Sequence, residues 1–182
     1  MPVPWAASIL QKAGELTVYN GIESGHWTGV FKFLLHNFSS LTNKKIGLKQ
    51  EKDIDKANVV MQISSGTGTF TYDGTTANAV FAATAAHGKT IPFQRSGEME
   101  KAAVFLPSKP TYDHKSHLIF IAAHELIHAA GLVTNQDHGD DGVFMNLPNF
   151  LPGGKINAQQ GSKVMPPLFL DGKTHSALGS IW

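Results

Sequence analysis

Residues 117–131 read HLIFIAAHELIHAAG, and the pattern of this stretch decides how the rest of the chain must be arranged. Leu118, Ile119, Phe120, Ile121, Leu126 and Ile127, together with four alanines, make it apolar on nearly every side, and at this length it reads as a helix rather than a strand. A helix that is apolar all round belongs in the interior. Asp113 or Ser116 is the expected N-cap, and Gly131 stands where a left-handed C-cap glycine would turn the chain sharply.

His124, Glu125 and His128 break the apolar pattern. Side chains four residues apart on a helix project from one face, about one turn apart, which is the separation two ligands of one zinc ion require. Glu125 is rotated from His124 by about 100°, which keeps it out of the ligand set yet close enough to take a proton from a zinc-bound water. The competing reading is a core helix whose histidines are satisfied by hydrogen bonds. Two imidazoles and a carboxylate among Leu, Ile, Phe and Ala would then carry a heavy desolvation cost that a metal relieves.

A third ligand must come from beyond Gly131, because the helix offers only two positions on that face. His138 is the first histidine available, with Asp137, Asp140 and Asp141 as competitors that also suit an acidic loop or hydrogen bonds orienting the histidines. His138 is the expected ligand, since imidazole matches the other two.

Around this helix the chain patterns as a sheet. HWTGVFKFLLHNFSSL places Trp27, Val30, Phe31, Leu34, Leu35, Phe38 and Leu41 on one stripe of an amphipathic helix, started by Ser24 or Glu23. Residues 59–63 and 102–106 read as strands, and Asp73 with Gly74 between β-rich runs signals a hairpin. The segment LDGKTHSALGSIW predicts a short closing helix bearing Leu178, Ile181 and Trp182. No internal repeat or linker divides the 182 residues, so one domain is expected over 1–182.

Composition removes several function classes. Fifteen basic against fourteen acidic residues leave a net charge of +1, with no basic run longer than NKK, so there is no nucleic-acid footprint. The chain has no cysteine, which excludes a thiol enzyme and leaves only nitrogen and oxygen ligands for a metal. The N-terminus MPVPWAASILQKAGEL has neither a basic n-region nor a long apolar run. No membrane partner is expected, and the chain reads as cytoplasmic when synthesised, unless a leader was trimmed or export takes another route. The lone Gly-x-Gly of SSGTGTF reads as a hairpin loop rather than a nucleotide site. His117 reads as a solvent-exposed residue near the start of the helix. His87 reads as an exposed loop histidine, with a place beside a substrate groove as its alternative.

HELIHAAG, residues 124–131, resembles the His-Glu-x-x-His-x-x-Gly core of the metzincin zinc peptidases, whose helix ends at that glycine so that a third ligand can swing under the metal. SKVMPPLFL resembles the family's Met-turn, with Met165 beneath the zinc; Met145 in GVFMNLP is the rival, and either methionine could instead fill a gap in the core. The proline after Met165 is similar to the matrixin branch, and THSALGSIW resembles the closing helix. One position departs from the pattern: the family's third ligand usually lies three residues after the glycine, where this chain has Thr134, and His138 stands four residues further on.

The resemblance implies an α/β (α+β) zincin fold: a twisted mixed sheet, a backing helix, an active-site helix and a small C-terminal subdomain. It also implies a zinc metallopeptidase in which His124, His128 and His138 hold Zn2+, Glu125 is the catalytic base and Met165 supports the metal floor. The partner would be a protein or peptide substrate, paired with an edge strand around residues 80–86. Two other classes compete: a non-catalytic interaction or effector module stabilised by zinc, and a zinc amidase acting on cell-wall peptides.

Overall fold

The apolar segments of this chain assemble into one sheet with a different cover on each face. The structure, a computed structural model, describes residues 1–10, 14–138 and 170–182. In chain order the elements are α1 (Ala7–Leu10), β1 (Glu15–Gly21), a 3-10 turn (Gly25–Trp27), α2 (Val30–Leu41), β2 (Gly47–Glu51), β3 (Val59–Ser64), β4 (Thr67–Tyr72), β5 (Thr75–Val80), β6 (Lys89–Arg95), β7 (Glu98–Pro107), α3 (Lys115–Ala129) and α4 (Gly172–Gly179). Strands β2, β1, β3 and β7 run parallel in that order, and β6 closes the edge antiparallel to β7. The class is therefore mixed α/β with a twisted mixed sheet.

Parallel strands in the middle of a sheet are buried on both faces and become almost continuously apolar. β7 is such a strand. Ala102, Val104 and Leu106 belong to the core under the helices, whereas Ala103 and Phe105 belong to a second cluster on the opposite face. Helices α2 and α3 cover the first face, with Phe31, Leu34, Phe38, Phe120 and Leu126 fully or nearly buried there. The β4–β5 hairpin covers the other face: Ala77 and Ala79 are buried against Phe93 and Phe105, and Phe70 and Tyr72 set their rings edge-on to Phe93 at 5.7 and 5.6 Å. Asp73 and Gly74 form its two-residue turn with φ of 46° and 75°, the positive angles that such a turn needs at both central positions.

Several boundaries differ from the sequence reading. The N-cap of α3 is His114, whose Nδ1 accepts from the Ser116 amide, in place of Asp113 or Ser116. Helix α2 begins after Gly29, and Glu23 contributes from a distance by accepting from the Gly29 amide at 2.8 Å. The strand expected at 102–106 extends over Glu98–Pro107. The edge strand is β6 at Lys89–Arg95; of the segment expected in its place, Val80 ends the hairpin and 81–86 are not strand. Strands β1 and β2 had no sequence-level expectation at all. Met145, Met165, Asp140, Asp141 and most of the expected C-terminal subdomain fall on residues outside those described. Among the described residues no helix is long and apolar enough to cross a membrane.

The exit of α3 is held from three sides. Gly131, at φ +114°, closes a Schellman pattern in which its amide donates to His128 and the Leu132 amide to Ile127. The carbonyls left open there accept from other parts of the chain: Ala129 from the Trp5 indole at 2.9 Å, Ala130 from the Trp182 indole at 2.7 Å, and Gly131 from the Val3 amide at 2.8 Å. Trp5 is completely buried. Trp5→Phe keeps a ring in place but leaves the Ala129 carbonyl without that donor, so chemical denaturation should show a loss of about 1–3 kcal/mol. Trp182→Phe, at a half-buried position, should cost less.

Candidate metal centre

The four-residue spacing places His124 and His128 one turn apart on α3, with their Nε2 atoms 2.9 Å apart. His138 arrives from the loop beyond Gly131 and is 2% exposed. Ring centroids are 4.7 Å apart for His124–His128, 5.1 Å for His128–His138 and 5.6 Å for His124–His138, and the rings are steeply inclined to one another rather than stacked. One ligand nitrogen from each lies within 4.8 Å of the other two. Nitrogens around a tetrahedral zinc stand about 3.3 Å apart, so this triangle could close on such an ion with small ring rotations.

Local chemistry explains how His138 reaches the pair despite its distance along the chain. The Asp137 amide donates to the Thr134 carbonyl at 3.0 Å, closing residues 134–137 into a turn. The Asp137 carboxylate then accepts from the Thr134 amide at 2.9 Å and from its hydroxyl at 2.8 Å. The four residues that separate His138 from the position of Thr134 are thus taken up as one compact loop. Asp137 is 6% exposed. Burial raises its pKa, but the Met1 ammonium, 2.8 Å from Oδ1, and the two Thr134 donors outweigh that and hold it below the usual value. Its carboxylate is engaged by these partners and is not part of the histidine triangle.

The protonation states suit a cation. Burial, reinforced by the neighbouring histidines His128, His138 and His87, holds His124 well below the ordinary histidine value. His128 is lowered too, chiefly by burial, against the opposing effect of the Leu132 carbonyl. His128 Nδ1 faces that carbonyl, which can only accept, so the ring carries its hydrogen on Nδ1 and presents a lone pair from Nε2. Neutral rings converging through lone pairs are what a divalent ion requires. This carbonyl belongs to the residue that completes the helix-ending motif, so one backbone arrangement both turns the chain and orients a candidate ligand.

Glu125 is 3% exposed and faces the same cleft. Burial pushes its carboxyl up to about 7, with the Thr90 hydroxyl pulling the other way. The cleft, about 420 Å³, runs between α3 and the start of β6 and is lined by His87, Gly88, Thr90, His124, Glu125 and His128 among others. His87 is an exposed loop residue, as read from the sequence, and it also stands at the groove. His117 is not among the residues lining the cleft; it is half-buried against Tyr112 and His114. Thr90, Gly88 and the Leu132 carbonyl were missing from the sequence reading. Thr90 is identified only by a tertiary contact with Glu125, 35 residues away on α3, whereas the Leu132 carbonyl meets His128 only four residues back, through the local geometry of the helix exit.

No family model matches the chain, and no similar protein was found among the curated ones.

Two outcomes follow from this geometry. A Cβ at Gly88 would sit 2.6 Å from Glu125 Cγ and 3.0 Å from Leu106 Cδ2, so Gly88→Ala should lower stability by about 1–3 kcal/mol in denaturant titrations. For Glu125 the sign is set by a folded pKa raised above the unfolded one: the folded state binds the extra proton between pH 4.5 and about 7 and loses that advantage as pH rises. The lowered histidines act in the opposite sense below their ordinary pKa, so the effect must be read as a difference. In chelator, wild type should lose roughly 3 kcal/mol relative to Glu125→Gln between pH 4.5 and 7, at about 1.4 kcal/mol per unit; parallel stability curves for the two proteins would contradict the assignment.

Proposed function

We propose that this protein is a zinc-dependent metallopeptidase of metzincin-like fold that hydrolyses peptide bonds. The observation that carries the reading is the convergence of His124, His128 and the buried His138, with the first two and the buried Glu125 carboxyl lining one open cleft. A mixed sheet with a backing helix and the histidine helix packed on one face is consistent with the fold that the metzincin resemblance implies. His124, His128 and His138 would hold the ion. When bound, zinc supplies Lewis acidity, polarising a carbonyl and acidifying a water.

The chain's own groups account for the remaining chemistry. Glu125, with a carboxyl near neutrality, accepts the proton of the attacking water and delivers it to the departing amine. Among the described residues β6 has a partner on one side only, so its other edge can pair with an extended peptide through main-chain hydrogen bonds. This edge borders the cleft at Gly88, Lys89 and Thr90, which would bring a paired peptide past Glu125. The metal-floor role of Met165 rests on the resemblance alone.

A purely structural zinc is the main rival, because a closed site takes a fourth protein ligand. Among the described residues Asp137, the candidate for such a ligand, has its carboxylate held by Thr134 and the Met1 ammonium instead, which favours a coordination position open to substrate.

Metal analysis by mass spectrometry, run beside cleavage of a peptide library, tests the reading. Wild type should bind one zinc per chain and lose cleavage in chelator. His138→Ala should lose the metal, and Asp137→Ala should keep it with affinity about 10–100-fold weaker. Glu125→Gln should retain the metal with cleavage reduced by at least about 100-fold. A metal-free wild type, or a Glu125→Gln protein as active as wild type, would reject the peptidase.

A further inference from the structure

The first residues of β6 fit around Glu125. Thr90 Oγ1 lies 2.7 Å from Glu125 Oε2 and 2.9 Å from the Glu125 backbone carbonyl. A threonine hydroxyl has one hydrogen to give. The carboxyl is the acceptor with more need of it: it is buried, and among the described residues Thr90 is the one side chain that donates to it. Two residues earlier the chain passes over the stem of the same side chain, so closely that only a glycine fits at 88. Glu125 is therefore held at both stem and head by one short piece of strand.

The identity of residue 90 is informative. Valine has nearly the same shape and at least as strong a preference for strands, so packing gives no reason for a hydroxyl here. The β-branch also restricts χ1 and keeps the donor on a short leash. With Oε2 occupied by Thr90, Oε1 is the oxygen left for the cleft.

We infer that Thr90 is a positioning residue, whose hydroxyl fixes one oxygen of Glu125 so that the other is presented to the reacting water. The inference rests on the peptidase reading and deepens it, because Thr90 belongs to the strand whose open edge would receive the peptide. Substrate docking and orientation of the base then share one rigid element, and a peptide aligned on β6 is automatically in register with Glu125.

The test compares Thr90→Val, Thr90→Ala and Thr90→Ser in the full, zinc-loaded chain, with two independent measurements. Kinetics on a cleaved library peptide should show kcat falling by about 10–100-fold in Thr90→Val and Thr90→Ala, with KM changed by less than about twofold. Thr90→Ser should recover most of the rate, which a loss of packing alone would not allow. Independently of turnover, 13C NMR of protein labelled at glutamate carboxyls should show the Glu125 resonance, assigned by its absence in Glu125→Gln, displaced in Thr90→Val and returned in Thr90→Ser.

Full kcat in Thr90→Val, an unmoved Glu125 resonance, or a serine variant no better than valine would each overturn the inference while leaving the peptidase intact. A wild type that cleaves nothing, or that cleaves equally well as Glu125→Gln, would bring down both. Thr90→Ala serves where Thr90→Val does not fold.

Discussion

Everything at the site depends on the chain reversing direction at Gly131. A helix can present two histidines to a common point, but its axis carries every later residue away from them. The positive φ of Gly131 ends α3 within one residue, and the Schellman bonds that follow place the Leu132 carbonyl where it accepts from His128. Trp5, Trp182 and Val3 then occupy the carbonyls that a helix end leaves open. Remote parts of the chain are thereby committed to holding the helix exit in one geometry. Precision at the triangle of imidazoles is inherited from this exit, since two of its members precede the turn and the third follows it.

Helix α3 also has to be two things that conflict. It is the innermost helix, with Leu118, Ala122, Ala123, Leu126 and Ile127 completely buried, and on its cleft side it also bears the imidazoles of His124 and His128 and the Glu125 carboxyl. Burying such groups is costly unless each finds a partner. The fold confines the conflict to one side of the helix, where the cleft admits solvent to His124, the Leu132 carbonyl engages His128 and Thr90 engages Glu125. The opposite sides keep the close packing that anchors the helix to the sheet and to α2. A rigid scaffold and an accessible, polar face are combined in a helix of fifteen residues.

Local codes were legible in the sequence, and contacts between distant segments were not. The buried helix, its glycine stop, the Asp73–Gly74 turn and the stripe of α2 each follow from residues within a few positions of one another. β6 escaped because Lys89, Gln94 and Arg95 dilute its apolar pattern and Pro92 interrupts it; proline inside a strand is tolerated mainly at a sheet edge, which is where β6 lies. β1 opens on Glu15 and closes on Asn20 and Gly21, which leaves few apolar positions to signal it, and the short β2 carries Lys49, Gln50 and Glu51 on a sheet border where patterning is weak. The approach of His138 was expected without a mechanism. It required knowing that residues 134–137 close on themselves, a fact carried by Thr134 and Asp137 and written in no periodicity. Thr90 and Gly88 were beyond reach for the same reason, because their meaning lies in what stands opposite them across the cleft.

The three tryptophans give the molecule an optical property. Each indole donates to a backbone carbonyl of an element that builds the cleft or ends beside it: Trp5 to Ala129, Trp182 to Ala130 and Trp27 to Pro107 at the end of β7. Two of the three chromophores therefore sit on successive carbonyls at the exit of the histidine helix. Intrinsic fluorescence is weighted toward that exit rather than averaged over the fold, and the protein carries its own reporter of whether the turn that gathers the histidines is closed.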